Sequence, residues 1–390
     1  MDSAVCAQLF AFLLIIAQLE PCAAYPAIPA TGFLANTPIS TTVDSELAKE
    51  YLAGPSNSSG GRESVAERIV PIEERFRGQP LDWLTLKKLS EATSPDFATI
   101  YFVKRCLADH TNELFQTDYA REFQRIESLI RQRNWTGTVR NSLRGYEFLF
   151  IPGFHYVTDP TSGADFLSQR TLMRDLGIEV ELARTQEDGT IEENAQIIAQ
   201  TIRSQSRYHA KSILVSTSKS GPETALALGR ILQPSETFSV QAWISVGGLI
   251  RGTMLADRAV AWPQSWIVPR IFSLQKVSFR SVPGLTTRAS RARLERIRLP
   301  QHILLVDYVA APLSGNIAED VKSRYSYLCR YGPNDGLTLL ADELLPGGVT
   351  IIEPGLDHFY RDPEINVKSL AIANVVADAL NDRFSASSHK

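Results

Sequence analysis

Short apolar runs alternate with helical stretches beyond Tyr146, and this alternation constrains the fold of the chain more than any other feature. The clearest helical stretches between the runs are Glu192–Ser204 and Glu223–Leu232. The apolar runs are Tyr146–Ile151, Ile178–Leu182, Ser212–Ser216, Val240–Val246, His302–Val309 and Val349–Ile352. Strands that alternate with helices are joined by right-handed crossovers. The pattern therefore predicts an α/β fold with a mainly parallel sheet and helices on both faces.

The residues before the first apolar run have a different texture. Segments 96–105 and 119–130 repeat apolar residues at helical spacing, which predicts an α-helical N-terminal extension over residues 63–140. Residues 25–62 are rich in Pro, Ala and Thr near their start and in Gly and Ser near their end. They are interpreted as a linker with a short helical stretch. The α/β domain is expected to cover residues 141–385.

The first 24 residues resemble an export signal. An uncharged run from Leu9 to Ala17 is too short to cross a bilayer, and it is followed by the small residues Cys22-Ala23-Ala24. We expect cleavage near Ala24 and a location that is secreted, periplasmic or in the lumen of the secretory pathway. The leader has no Lys or Arg before its apolar run, so an uncleaved anchor and a mispredicted start remain alternatives. Lipidation of Cys22 is a weaker one, because Glu20 and Pro21 stand where a lipobox has small residues.

Cleavage at this point would leave two cysteines, Cys106 and Cys329. Two thiols in an exported chain either form one bridge or pack as small buried apolar residues. The sequence leaves both readings open.

A strand, a tight turn of small residues and a helix follow one another around Ser218. The strand Ser212–Val215 leads into Ser216-Thr217-Ser218-Lys219-Ser220-Gly221, and a helix opens at Pro222. This is the layout of a nucleophile elbow, in which a strained turn lifts a serine hydroxyl off the sheet. Residues two before and two after that serine must be small, and Ser216 and Ser220 meet this requirement where Gly is usual.

This segment resembles the elbow of the α/β-hydrolase superfamily. Within the lipase-like branch, Ser-Lys-Gly-Gly elbows are similar to Ser218-Lys219-Ser220-Gly221, and the resemblance covers roughly residues 146–380. It implies an α/β-hydrolase fold, with the insertion at residues 251–300 as a cap or lid.

The resemblance also implies an oxyanion loop after the first strand of this block. Ile151-Pro152-Gly153-Phe154-His155 stands there, with Pro152 in place of the usual His. The backbone N–H groups of Phe154 and Lys219 are the expected oxyanion donors. His155 is interpreted as lining the substrate pocket rather than as a catalytic residue. The predicted pocket residues are Gly153, His155, Trp262 and Trp266.

Two further motifs complete a candidate triad in the chain order that this fold requires. Asn334-Asp335-Gly336-Leu337 resembles the segment that holds the acid in bacterial lipases, and His358 lies in the loop after the last strand. The predicted triad is Ser218, Asp335 and His358. Asp307 and Asp357 are the rival acids, and Asp307 is the more credible of the two.

These motifs predict a serine hydrolase that cleaves carboxylic esters, most naturally lipid-like acyl esters, through an acyl-enzyme. The substrate is then a small-molecule or lipid ester, with no metal or cofactor implied. Two alternatives remain: an acyltransferase or thioesterase with the same triad, and a non-catalytic binding protein with the hydrolase fold.

The insertion is strongly basic in a chain of 390 residues whose net charge is only −3. Residues 251–298 contain ten basic side chains against two acidic ones and also Trp262 and Trp266. Basic residues interleaved with aromatic ones suit an anionic membrane surface. The plainer alternative pairs these arginines with acidic helices of the N-terminal extension. No nucleic-acid recognition motif accompanies the charge, so no nucleic-acid partner is expected.

Overall fold

The computed structural model describes residues 27–54, 65–132, 136–205, 211–262, 264–274 and 278–387. The predicted export signal lies outside these residues. Among the described residues, no helix has both the length and the apolar character that a membrane span requires.

A β-hairpin occupies much of the segment that the sequence analysis interpreted as a linker. Strands β1 (Ile28–Leu34) and β2 (Thr37–Val43) pair antiparallel. Ala35 and Asn36 between them both have positive φ angles, as a two-residue hairpin turn requires. The linker interpretation was therefore wrong here. Each strand contains one Pro, which a two-stranded ribbon tolerates because every strand in it has an unpaired edge.

Helices fill most of the stretch from the hairpin to the large sheet. Side chains of Ser45, Asp82 and Ser94 accept backbone N–H groups at the starts of three of them, which satisfies donors that a helix start leaves unpaired. The helices are α1 (Glu46–Ala53), α2 (Val65–Phe76), α3 (Trp83–Ala92), α4 (Pro95–Leu107), α5 (His110–Arg131) and α6 (Thr136–Leu143).

Strands and helices alternate from Glu147 onward, as the sequence predicted. The helices are α7 (Leu167–Asp175), α8 (Ile191–Gln205), α9 (Ser220–Leu226), α10 (Met254–Val260), α11 (Gln264–Leu274), α12 (Thr287–Leu294), α13 (Lys322–Leu328), α14 (Leu340–Glu343) and α15 (Ile365–Ser387). The strands are β3 (Glu147–Ile151), β4 (Glu179–Leu182), β5 (Ser212–Thr217), β6 (Val240–Val246), β7 (Leu304–Ala311) and β8 (Val349–Pro354).

The six strands form one sheet in the order β4-β3-β5-β6-β7-β8. The pairings of β3 with β4, β3 with β5, β5 with β6 and β6 with β7 are all parallel. Every residue of β3, β7 and β8 is buried, as expected for a sheet covered by helices. The predicted fold class, a mainly parallel sheet flanked by helices, is confirmed.

The strand order reverses between β3 and β5. The chain leaves β3 to form β4 on one side and then returns to form β5 on the other. In open α/β sheets, ligands bind outside the carboxyl ends of the strands at such a switch point. The residues that follow Ile151 and Thr217 are therefore the ones placed to meet a ligand.

The described chain forms two compact units, each built from separate stretches of sequence. The first contains residues up to Glu113 together with Val309–Asp342 and Ile352–Tyr360. The second contains Leu114–Tyr308, Glu343–Ile351 and the residues from Arg361 onward. Cys106 and Cys329 both belong to the first unit, where each is buried and neither forms a disulfide bond.

A pair of buried carboxyl groups connects three segments of the first unit. The backbone N–H of Asp44 donates to Asp96 (2.8 Å), and the N–H of Asp96 donates back to Asp44 (2.9 Å). Ser314 donates both its hydroxyl (2.6 Å) and its backbone N–H (2.8 Å) to Asp96. Burial, and then the neighbouring Asp44, raise the pKa of Asp96 to about 7. The pair therefore holds a proton in acidic solution that ordinary aspartates would release.

Candidate active site

Ser218 occupies a strained turn between β5 and α9. Its φ angle is +55°, in the left-handed region that residues other than glycine rarely adopt. The backbone N–H of Ser218 donates to Val246 (3.1 Å), and its carbonyl accepts from Gly221 and Leu249 (3.0 Å each). Such a conformation persists only where surrounding contacts hold it, and these three bonds supply them.

Two serines stand where elbows of this kind usually have glycine, and both have specific partners. The indole N–H of Trp243 donates to the Ser216 hydroxyl (2.8 Å), and both residues are buried. The Ser220 hydroxyl accepts the backbone N–H of Thr217 (2.9 Å) and lies 2.9 Å from the carbonyl of Ile151, to which it can donate. The departure from glycine therefore gives buried polar groups the partners that they need.

The loop after β3 packs against the end of β5. A Cβ atom added at Gly153 would lie 3.2 Å from the Thr217 side chain and 3.4 Å from its carbonyl oxygen. The Lys219 ammonium nitrogen lies 6.0 Å from the centroid of the Phe154 ring. Gly153, Phe154, Ser218 and Lys219 are thus brought together at the switch point of the sheet. The assignment of the two oxyanion donors stays a prediction.

His155 adjoins this group and also has a positive φ angle, +57°. Its Nδ1 is bonded to the Thr158 hydroxyl (3.0 Å), and its Nε2 is buried without a hydrogen-bond partner among the described residues. Burial lowers the pKa of His155 below its usual value, which favours a neutral ring. Its proposed role in lining a substrate pocket stays a prediction.

Asp335 and His358, both in the first unit, are hydrogen-bonded to each other. His358 Nδ1 contacts Asp335 Oδ2, and the backbone N–H of His358 donates to the Asp335 carbonyl (2.9 Å). The other oxygen, Oδ1, accepts the N–H groups of Leu337 (2.8 Å) and Thr338 (2.7 Å). A carboxylate held in this way fixes both the orientation and the tautomer of an imidazole.

The two rival acids have other partners. Asp357 accepts the N–H groups of Ala318 and Phe359, each at 3.1 Å. Asp307 accepts the N–H of Leu345 at 2.9 Å, and burial raises its pKa to about 8. Asp335 is therefore the acid with a direct bond to His358.

Two buried polar residues of the second unit, Asn194 and Glu223, were not among the predicted site residues. Glu223 forms an ion pair with Lys219 (2.6 Å) and accepts a hydrogen bond from Asn194 (2.9 Å). A signal existed, because Asn194 interrupts the apolar face formed by Ile191, Ala195 and Ile198 of α8. A polar residue in such a stripe needs a buried partner.

Both tryptophans of the basic insertion are strongly exposed. Trp262 is 83% exposed, Trp266 68% and Ile267 50%, and the Arg270 guanidinium lies 4.9 Å from the centroid of the Trp266 ring. These four residues are called the tryptophan patch below. The place of Trp262 and Trp266 in a substrate pocket stays a prediction.

Some arginines of the insertion form ion pairs within the second unit. Arg280 pairs with Glu193, and Arg293 lies 3.3 Å from Glu192. Both glutamates belong to the first turn of α8, inside the α/β region. The alternative interpretation of the insertion predicted that its arginines would pair with acidic helices of the N-terminal extension instead.

Comparisons with known proteins give structural matches alone. No protein-family model matches the chain, and no curated protein matches it. A metagenomic carboxyl esterase is 19% identical over 61% of this chain and 76% of its own, with a TM-score of 0.48. The mature form of a Bacillus licheniformis lipase is 20% identical over 55% of this chain and 84% of its own, with a TM-score of 0.45. Aspergillus fumigatus lipase B is 12% identical over 97% of this chain and 92% of its own, with a TM-score of 0.30.

The fold itself is evident from the strand order. A mainly parallel sheet ordered β4-β3-β5-β6-β7-β8, with a serine in a left-handed turn between β5 and the following helix, matches the α/β-hydrolase fold.

Proposed function

We propose that this chain is a serine hydrolase that cleaves carboxylic esters through an acyl-enzyme. The single observation behind the proposal is the left-handed conformation of Ser218 at the carboxyl end of β5. Residues other than glycine rarely adopt that region, and such strain clusters at functional sites. The bond between Asp335 and His358 in the first unit supports the same reading.

The proposed reaction has two steps. The Ser218 hydroxyl attacks the ester carbonyl while His358 Nε2 takes its proton and then gives it to the departing alcohol. Water, activated by the same imidazole, then hydrolyses the acyl-serine and regenerates the hydroxyl. Asp335 keeps the proton of the neutral ring on Nδ1 and stabilises the imidazolium. No metal or cofactor takes part in this scheme.

Negative charge develops on the carbonyl oxygen in both steps. We assign its stabilisation to the backbone N–H groups of Phe154 and Lys219. Removal of one such donor costs about 3 kcal/mol in comparable enzymes. The start of α9 lies immediately after the elbow.

Labelling with a fluorophosphonate tests the nucleophile directly, because the reagent phosphonylates only an activated serine. We expect the parent protein to be labelled and Ser218→Ala not to be. Ser239→Ala is the matched control: it removes a serine hydroxyl outside the elbow that has no hydrogen-bond partner among the described residues, and it should leave the labelling intact. An unlabelled parent would overturn the proposal and favour a non-catalytic binding protein. Labelling that survives in Ser218→Ala would overturn the assignment of Ser218 and point to another nucleophile.

Assays with p-nitrophenyl esters then show which acyl acceptor the protein uses and which acyl chain lengths it cleaves. Release of free acid from p-nitrophenyl esters is expected, with activity retained on octanoate. Transfer of the acyl group to an added alcohol or thiol in preference to water would instead identify an acyltransferase. Activity confined to acetate would exclude a lipid-like substrate.

We further propose that the substrate is presented at an anionic lipid surface. The tryptophan patch supports this, because exposed indole rings beside a guanidinium suit the boundary between head groups and acyl chains. The basic character of residues 251–298 supplies the charge complementarity.

Vesicle binding tests this second proposal. We expect the protein to sediment with vesicles containing phosphatidylglycerol and to be released by salt, which screens the attraction. Trp262→Ala with Trp266→Ala should weaken binding. Phe238→Ala, which removes an aromatic residue 65% exposed outside the insertion, should not. Equal binding by all variants would refute the assignment of the patch.

A further inference from the structure

The side chain of Lys219 is buried, although it follows directly the residue proposed as nucleophile. Its side chain is 3% exposed and that of Glu223 is 1% exposed, and the two are joined at 2.6 Å. The residues stand one helical turn apart, at the start of α9. Desolvating the charge of a lysine is costly unless the charge is paired, so the inward orientation of Lys219 depends on its contact with Glu223.

Glu223 extends this contact toward a second helix. Its Oε1 accepts the side-chain N–H of Asn194 (2.9 Å). Asn194 also donates to the carbonyl of Gln186 (2.8 Å) and accepts the N–H of Gln186 (2.9 Å). The carboxylate is thus linked through one amide to the backbone of the loop that precedes α8.

That loop is bonded in turn to the loop after β3. The Tyr156 hydroxyl donates to the carbonyl of Thr185 (2.7 Å). The N–H groups of Val157 and Thr158 both donate to one oxygen of Glu187 (2.9 Å each). The segment that contains Phe154 is therefore tied to residues 185–187.

These contacts close a circuit within the second unit. It runs from Lys219 through Glu223 and Asn194 to residues 185–187, then through residues 156–158 to Phe154, whose ring faces the Lys219 ammonium group. This series of contacts therefore connects Phe154 and Lys219, the two residues assigned as oxyanion donors.

We propose that Lys219, Glu223 and Asn194 are positioning residues that hold the backbone N–H groups of Phe154 and Lys219 in register with each other. The inference rests on the proposed function and deepens it. The charged pair acts through the backbone, and neither side chain needs to touch the substrate.

The electrostatics of Glu223 fit this role. Burial raises its pKa to about 7, against the opposing effect of Lys219. Its second oxygen, Oε2, is buried without a hydrogen-bond partner among the described residues. A carboxylate this poorly solvated depends on Lys219 and Asn194 to stabilise its charge, so loss of either partner should disturb the other two side chains.

Three variants test the proposal: Glu223→Gln, Lys219→Met, and the two combined. The combined variant removes both charges, so no unpaired ion remains to unfold the protein. Complete loss of one oxyanion donor lowers kcat by about 100- to 1,000-fold. A displaced donor is a partial loss, so we expect kcat to fall by about 10- to 100-fold. KM for a p-nitrophenyl ester should stay within about twofold, because the ground state makes little use of these donors.

Two readouts separate positioning from a merely structural role. First, kcat is normalised to the serines titrated by a fluorophosphonate, which removes any effect of misfolded protein. Second, the affinity of a trifluoromethyl ketone, whose tetrahedral adduct places an oxyanion in the same site, should fall by the same factor as kcat/KM. The matched control is Glu236→Gln, which breaks an ion pair to Arg203 at the other end of α8 (2.7 Å) and should change neither readout.

An unchanged kcat per titrated serine in the combined variant would overturn the inference. So would a loss of kcat with unaltered affinity for the trifluoromethyl ketone. Both outcomes require a parent protein that is labelled at Ser218. A parent that is not labelled contradicts the proposed function itself, so the two failures are distinguishable.

Discussion

The hydrogen bond between Trp243 and Ser216 allows a prediction that runs against the usual expectation for this turn. Elbows of this kind usually have glycine at position 216, so a glycine there would be expected to do no harm. In this chain the Ser216 hydroxyl accepts the indole N–H at 2.8 Å, and neither residue is accessible to solvent. Ser216→Gly and Ser216→Ala should therefore both destabilise the protein.

The magnitude follows from the contacts. Loss of the hydroxyl leaves a buried N–H without an acceptor, which costs about 1–3 kcal/mol. Glycine in a strand costs a further 0.5–1 kcal/mol, roughly, through the greater freedom of the unfolded chain. We expect a loss of about 2 kcal/mol in the free energy of unfolding for Ser216→Ala and of about 3 kcal/mol for Ser216→Gly.

A double-mutant cycle with Trp243→Phe isolates the hydrogen bond. Phenylalanine has no N–H, so Ser216→Ala should cost little in that background, and the coupling energy should be about 1–2 kcal/mol. Urea unfolding followed by circular dichroism supplies the four free energies. If Ser216→Ala lowers the free energy of unfolding as much in the Trp243→Phe background as in the parent protein, the hydrogen bond does not explain the serine at this position.

Three further predictions concern the first unit. Asp335→Asn should lower kcat on a p-nitrophenyl ester by about 10⁴-fold without unfolding the protein; a change below tenfold would point to another acid. Gly336→Ala should destabilise the protein by about 2–4 kcal/mol more than Gly54→Ala in urea unfolding. Both glycines have positive φ angles. A Cβ atom at position 336 would overlap the Val321 side chain, whereas none of the described atoms lies within 4 Å of a Cβ atom at position 54. Equal losses of stability in the two variants would contradict this prediction. The pKa of Asp96 is raised to about 7, so the folded state keeps a proton that the unfolded state releases near pH 4. The free energy of unfolding should therefore fall as the pH rises from about 4 to about 7. Asp96→Asn should flatten that decline, and an unaltered pH dependence would contradict the assignment.

The strands were predictable because their apolar runs are continuous and bounded by turn residues. Five of the six begin within one residue of the predicted start, while β7 begins and ends two residues later than predicted. The Ser218 turn was also foreseeable, since small residues between a strand and a helix have few other uses. The hairpin of β1 and β2 was not, because Pro29 and Pro38 suggested a linker.

The polar partners within each unit could not be predicted from spacing. Asp44 meets Asp96 across 52 positions, and Asn194 meets Glu223 across 29. Helical and strand periodicities describe neighbours along one element, and they contain no information about which elements face each other. Only the tertiary structure shows that a polar residue on an apolar face has found a partner.

The division of the first unit into three stretches has a consequence for how the chain is made. The hairpin and α1 to α4 are synthesised before the second unit, but their unit is complete only when Val309–Asp342 and Ile352–Tyr360 have left the ribosome. These elements must therefore wait for residues made after most of the second unit before they can fold fully. Neither unit corresponds to a continuous fragment, so no single truncation would yield either one as an independent polypeptide.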